Sequence, residues 1–341
     1  MDQQEFEEAK KSMERWYWWG IPTFFRCPWN EDPGACDIAL VGVPHSSGNG
    51  STERDQHLGP RAIRHVSALY RRSHGRFGIT PWRMCRINDL GDVPLPEAMV
   101  NDVSVVHIED YFKRLDRAGA RPVSIGGDHA ITGPIVRALA GREAGLSGGR
   151  KAALVHFDAH TDSYHHLPHW LGSRRSAAHW ASYLVTEGFV DPARSTQIGI
   201  RPNVGTAGSR GASEELDYRI IGMDEYEEIG AKGVIDVVRR RVGDSPVYIT
   251  FDLDALDPAD APAVANLEPG YPGDPLRRRN SHAARIARPR NHRRRRGLHH
   301  ADQGQPEPDH GDERHGARLR DDLPDRRSPL PKPRVEASVN T

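Results

Sequence analysis

The sequence predicts an α/β protein built on a mostly parallel sheet, and three observations carry that expectation. Short apolar runs bounded by glycine, proline or polar residues recur between residues 37 and 251, with helical stretches between them. Strands alternating with helices are the pattern of βαβ units. Three of the runs end on carboxylates and imidazoles, at the position where open α/β sheets place their sites. The intervals are too regular to need a second domain within this region, and no internal repeat is present.

Taken in order, residues 2–15 read as a short charged helix, and Trp16-Tyr17-Trp18-Trp19 follows as a cluster suited to core packing or a subunit contact. A strand over 37–44 leads into a glycine-rich loop, Ser46 to Gly59, and a helix from Pro60, where proline suits a first helical position. That loop is neither a Walker A loop nor G-x-G-x-x-G, so it gives no nucleotide-binding signal. Further strands are expected over Cys85–Leu90, Pro122–Ile125, Ala152–Phe157, Thr196–Ile200, Ile220–Gly222 and Val247–Phe251. Helices are expected over Val103–Arg117, Ile131–Leu139, Ser176–Glu187 and Gly230–Val242.

Bulk properties exclude several classes. The 341 residues carry 47 Lys+Arg against 47 Asp+Glu, so net charge alone points to neither nucleic acid nor membrane. Three cysteines, Cys27, Cys36 and Cys85, with no Cys-x-x-Cys pair, argue against a disulfide framework or a zinc ribbon. The N-terminus is charged and has no apolar core of a signal peptide, and no apolar run approaches the roughly 20 residues that span a bilayer. A soluble, cytoplasmic protein is the expectation.

The chemistry lies in three segments: Val123-Ser124-Ile125-Gly126-Gly127-Asp128-His129, Phe157-Asp158-Ala159-His160-Thr161-Asp162, and Phe251-Asp252-Leu253-Asp254-Ala255-Leu256-Asp257-Pro258. Together they offer His129, Asp158, His160, Asp162, Asp252 and Asp254, four carboxylates and two imidazoles. Two divalent ions a few ångströms apart need several carboxylates, at least one bridging, to offset their repulsion. Such a pair lowers the pKa of water and makes it nucleophilic near neutral pH. Asp and His suit Mn²⁺ or Ni²⁺, and the absence of thiolates disfavours structural zinc.

These segments resemble the three metal-binding signatures of the ureohydrolases, the arginase and agmatinase family of guanidino-compound hydrolases. Gly59-Pro60-Arg61-Ala62-Ile63-Arg64 is similar to that family's early Gly-Pro-x-x-Ile-Arg element. The resemblance covers roughly residues 35–272 and implies a three-layer α/β/α fold with an eight-stranded, mostly parallel sheet. It also implies two Mn²⁺ per subunit (Ni²⁺ as alternative) and hydrolysis of a small guanidino compound, agmatine or a guanidino acid, to urea and an amine. By the resemblance, His129, Asp158, Asp162 and Asp252 would bind one ion. Asp158, His160, Asp252 and Asp254 would bind the other, with Asp158 and Asp252 bridging. Asp162 would also orient the attacking water. A proton must reach the departing amine, and His179, which opens a helix as the family histidine does, is the first candidate, with His169 second. The loop between them departs from the family's His-Gly-Thr pattern. Arg174 or Arg175 could pair with a substrate carboxylate, which would favour a guanidino acid over agmatine. The family commonly forms trimers or hexamers, so a homo-oligomer is implied. Formiminoglutamate-type hydrolysis is the alternative reaction.

The remaining chain divides into an N-terminal helical extension, 1–34, and a tail, 273–341. No aromatic residue follows Tyr271, and residues 274–341 hold sixteen arginines and one lysine without amphipathic period. A basic nucleic-acid-binding arm is one reading; the near absence of lysine argues against it. The other reading is a change of reading frame. Codons for residues 291–302 permit, one nucleotide on, Ile-Gly-Gly-Asp-Val-Val-Cys-Ile-Met-Pro-Thr, which resembles the family's last strand. Those for 309–316 permit Ile-Thr-Ala-Met-Asn-Ala-Met, suited to its closing helix. On this reading the last strand and helix are missing, and the 341-residue polypeptide is expected to fold poorly or to be inactive.

Overall fold

Seven parallel-paired strands carry the described part of the chain. The computed structural model describes residues 20–49, 55–68, 73–165, 173–201 and 209–268, with four isolated positions before residue 20. The expected N-terminal helix, the Trp16–Trp19 cluster, His169 and the tail therefore lie outside the described residues, wholly or nearly so. The strands are β1 (Ile38–Val43), β2 (Ile87–Asp92), β3 (Arg121–Gly126), β4 (Ala153–Phe157), β5 (Thr196–Ile200), β6 (Arg219–Gly222) and β7 (Val247–Phe251). Each expected strand is present, with ends shifted by at most two residues.

Hydrogen bonding groups them as β2-β1-β3 and β6-β5-β4-β7. Ile38 of β1 stands opposite Ile87 and Arg121, and Ala153 of β4 stands opposite Val247. Strand β3 therefore ends one group and β7 ends the other, each with one edge unpaired among the described residues.

The helices are α1 (Gly59–Ser67), α2 (Asn101–Ala118), α3 (Thr132–Leu139), α4 (Trp180–Thr186), α5 (Ser209–Glu215) and α6 (Met223–Val242). Alternation along the strands explains their placement. Ala39, Val41 and Val43 of β1 pack with Ile108 and Phe112 of α2 and Ile135 of α3. Leu154 of β4 packs with Trp180 and Leu184 of α4 on the same side, while its neighbour Val155 faces α6 through Val234. Helices thus cover both faces, the layered arrangement expected. Helix α6 packs on β4, β5 and β6, whereas Val247, Ile249 and Phe251 of β7 remain 46–66 % exposed.

Helix α1 shows what the Gly-Pro-x-x-Ile-Arg segment does. A Cβ on Gly59 would stand 2.5 Å from the carbonyl oxygen of Gly126, so only glycine lets the helix start so close to the end of β3. Arg64, one turn on, donates from Nε and Nη2 to the two oxygens of buried Asp89 on β2, at 2.8 and 2.9 Å. That bidentate pair pins α1 to the sheet beside the site.

Candidate metal centre

All six of the expected ligands converge at the C-terminal ends of β3, β4 and β7. Each arrives by a short local device. After β3, Asp128 caps a 3₁₀ turn over His129–Ile131, accepting from Ala130 N at 3.0 Å and Gly48 N at 2.8 Å. Gly127 precedes it at φ 60°, where a Cβ would meet the Val43 carbonyl at 2.5 Å; glycine alone permits that turn. After β4, Asp158 accepts from the His160 backbone N–H at 2.7 Å, curling the chain so that His160 follows it inward. Asp162 sits in the left-handed region at φ 49° and accepts from Trp180 Nε1 at 2.7 Å, which ties the loop to α4. After β7, Asp252 caps the turn Leu253–Ala255, and Asp254 accepts from Ala159 N at 3.1 Å.

The donor atoms make two groups sharing Asp158. His129 Nδ1 lies 2.9 Å from Asp158 Oδ2, 3.0 Å from Asp162 Oδ2 and 3.3 Å from Asp252 Oδ2. It is buried, yet none of these oxygens stands in hydrogen-bond geometry to it. A nitrogen and three carboxylate oxygens facing one point without bonding one another is the donor set a cation fits. Thr250 Oγ1, 2.9 Å from His129 Nε2, can accept the proton that leaves Nδ1 free to ligate. The second group places His160 Nδ1 3.1 Å from Asp254 Oδ2 and 3.4 Å from Asp158 Oδ1. The two groups share Asp158, and their all-N/O donors suit divalent cations of intermediate hardness.

Electrostatics agree. Burial drives the Asp254 carboxyl up to about 8, with the Asp158 charge adding to it. Burial and Asp158 likewise raise Asp252. Asp158 moves the other way: burial would raise it, but His129, His156 and His160 hold it well below the usual carboxylate range. Burial disfavours protonated His129 and His160, and the surrounding carboxylates outweigh it and raise both. Without a cation, protons do the neutralising.

The other expected residues are placed differently. His179 is buried at the start of α4 and its Nδ1 lies 2.7 Å from Ser176 Oγ. Ala177 and Ala178, not His179, line the cleft over the ligands. Arg174 is exposed, and its backbone N–H meets Asp102. Arg175 pairs with Glu187 at 3.3 Å and lies over the Tyr183 ring; neither arginine lines the cleft. Sequence reasoning missed four contributors, Thr250 among them. His156 Nε2 lies 2.8 Å from Asp158 Oδ2 and joins the His129 group. Gln197 Nε2 stands 3.3 Å from His156 Nδ1 and donates to the Thr161 carbonyl at 2.6 Å. Glu268 Oε1 lies 3.3 Å from His160 Nε2. His156 precedes the Phe-Asp-Ala-His run by one residue, which was the available signal for it.

Fold and donor set define a hydrolase of the kind that works through paired metal ions at the carboxyl ends of a parallel sheet. A profile described as the arginase family matches residues 36–280. The chain is 39 % identical over 255 residues to the guanidinopropionase of Pseudomonas aeruginosa, covering 74 % of this chain and 76 % of that one. It is 34 % identical over 256 residues to the guanidinobutyrase of the same organism, over 74 % and 76 %. Among solved structures, proclavaminate amidinohydrolase from Streptomyces clavuligerus superposes with a TM-score of 0.66 at 31 % identity, covering 74 % and 80 %. The chain belongs to the arginase family. Its relatives are hydrolases of guanidino compounds, and amidinohydrolase is its enzyme class. Among the described residues no helix is long and apolar enough to cross a membrane.

Proposed function

We propose that the chain carries the site of a Mn²⁺-dependent amidinohydrolase that cleaves a short guanidino carboxylic acid to urea and an amino acid. The observation that carries this is the ligand geometry: His129 Nδ1 buried among three carboxylate oxygens and bound by none. The identity to guanidinopropionase and guanidinobutyrase supports an acid over agmatine as substrate. When bound, a pair of ions supplies Lewis acidity and lowers the pKa of water. His129, Asp158, Asp162 and Asp252 would hold one ion; Asp158, His160, Asp252 and Asp254 would hold the other. Asp162, fixed by Trp180, would orient the attacking water. The acidic cleft around these groups attracts a cationic guanidinium. His179 could carry a proton to the departing amine only by leaving Ser176 and turning into the cleft, which it does not line.

Urea release measured on 3-guanidinopropionate, 4-guanidinobutyrate and agmatine, with Mn²⁺ or Ni²⁺ added, tests the reading. We expect Mn²⁺-dependent release, greatest on an acid, from a version of the chain whose last strand is restored in frame. The 341-residue chain is expected to release far less. No release on any substrate by the restored, metal-loaded protein refutes the proposal.

A further inference from the structure

The turn that carries Asp254 is held from a strand that does not adjoin it. Arg201 directly follows β5, and β4 lies between β5 and β7. Its side chain crosses the end of β4 and donates from Nη2 to the Ala255 carbonyl oxygen at 2.8 Å. Strands separated by one neighbour stand about 9.5 Å apart, a span that calls for a long side chain. Nη1 donates to the Gly199 carbonyl oxygen at 2.6 Å, which sets the direction of the guanidinium. The backbone N–H of the same residue donates to the Ala159 carbonyl oxygen at 2.9 Å. The Ala159 N–H in turn donates to Asp254 Oδ1 at 3.1 Å. Arg201, Ala159, Asp254 and Ala255 thus close a ring of bonds beside the second donor group, Asp158, His160 and Asp254.

Keeping an arginine here is costly. Arg201 is 3 % exposed, and its Nε has no hydrogen-bond partner among the described residues. Burial pulls its pKa down, with Asp254, Asp257, Glu268 and Asp158 opposing that pull, and a guanidinium remains charged inside a protein. A fixed positive charge beside a cation group repels the cation, so attraction is not what Arg201 contributes. What a guanidinium adds over an ammonium is a rigid plane of donors, here directed at two carbonyl oxygens. We infer that Arg201 is a positioning residue of the second donor group: it clamps the Leu253–Ala255 turn, and with it Asp254, to the loop after β4. The first group depends on it less, because the turn after β3 places His129 and Trp180 fixes Asp162. The inference rests on the two-ion reading for its metal readout, and on the bonds alone for its other readout.

The test compares the full chain with Arg201→Met and Arg201→Lys in calorimetric titration with Mn²⁺, followed by electron paramagnetic resonance. Arg201→Met is expected to weaken the second ion by about 10–100-fold, as loss of support to a ligand does, and to leave the first unchanged. Spin coupling between neighbouring Mn²⁺ ions should then vanish at ion concentrations that produce it in the unsubstituted chain. Arg201→Lys keeps one donor and should lose less. Equal weakening of both ions marks a general fault of folding and overturns the inference, as does full retention of both. An unsubstituted chain that binds fewer than two ions refutes the two-ion reading instead. The clamp is then read without metal: amide hydrogen exchange at Ala159 should be faster in both variants, more so in Arg201→Met. Unchanged exchange there overturns the inference. Should Arg201→Met not be recovered folded, Arg201→Lys alone decides by the same outcomes.

Discussion

The loops after β4 and β7 each supply carboxylates to one centre, but they rest on unequal foundations. Strand β4 lies between β5 and β7 and is buried along almost its whole length, with Leu154 and Ala153 fully enclosed. Its loop is tied down by Asp158 N to the Ile198 carbonyl at 3.0 Å and by Trp180 to Asp162. Among the described residues, strand β7 is paired only to β4, and it exposes every other residue. The charges divide in the same way. Asp158 is held ionised by three imidazoles, whereas burial keeps Asp252 and Asp254 reluctant to ionise. Half of the centre is prebuilt and charged; the other half stands on a strand paired on one side among the described residues and carries carboxyls that burial keeps reluctant to ionise.

The largest effect that would expose this asymmetry is at the ligands themselves. Asp158 is common to both groups of donors, and Asp254 belongs to one. Asp158→Asn is expected to abolish binding of both ions, and Asp254→Asn to leave one, as read by metal content after dialysis. Equal losses would mean that the two groups are not bridged by Asp158.

Next in size is the mechanical contrast between the strands. Leu154→Ala in β4 removes fully buried apolar volume and should cost about 2–5 kcal/mol in a denaturant titration. Ile249→Ala in β7 removes a side chain that is 66 % exposed and should fall within about 0.5 kcal/mol, the range of surface substitutions. A large cost at Ile249 would show that its face is covered in solution.

A smaller effect tests how the β4 loop is oriented. Gln197 Nε2 beside His156 Nδ1 leaves the His156 Nε2 proton to be donated to Asp158. Removing a hydrogen bond of this kind to a ligand typically weakens metal binding by about 10–100-fold. His156→Ala should do so in calorimetric titration with Mn²⁺, and His156→Gln, which keeps a donor near the Nε2 position, should recover part of the loss. Unchanged affinity in His156→Ala would reduce His156 to packing against Trp180.

How much of this was legible in the sequence follows from what each feature depends on. All seven strands and the six ligand candidates could be read, because strand period and strand-end chemistry are local. Helix α6 begins at Met223, seven residues before the expected Gly230, since Gly230 itself breaks the helical geometry at φ 65° and obscures the pattern. Helix α4 starts at Trp180 rather than Ser176, because the Ser176 hydroxyl is engaged with His179 in the preceding turn. Gln197, Thr250 and Glu268 could not be read, because each acts on a residue at least 36 positions away. Arg175 was a reasonable candidate by charge, but Glu187 and Glu109, remote in sequence, hold it elsewhere.

The pH response is the finest probe of the contrast. Asp254 has its pKa raised from the ordinary carboxylate value to about 8, so below that pH the metal-free site holds a proton there. His129 and His160 are also raised, and each must shed its proton before Nδ1 can ligate. Metal binding therefore competes with protons at neutral pH, and each displaced proton makes apparent affinity climb by up to about tenfold per pH unit below the group's pKa. Asp158 adds nothing to this slope, because its imidazole neighbours already hold it ionised. Calorimetry in buffers of different ionisation enthalpy should count the released protons, and Asp254→Asn should release fewer. Mn²⁺ uptake without proton release between pH 6 and about 8 would show that the β7 carboxylates are already charged, and that the two halves of the centre do not differ as described.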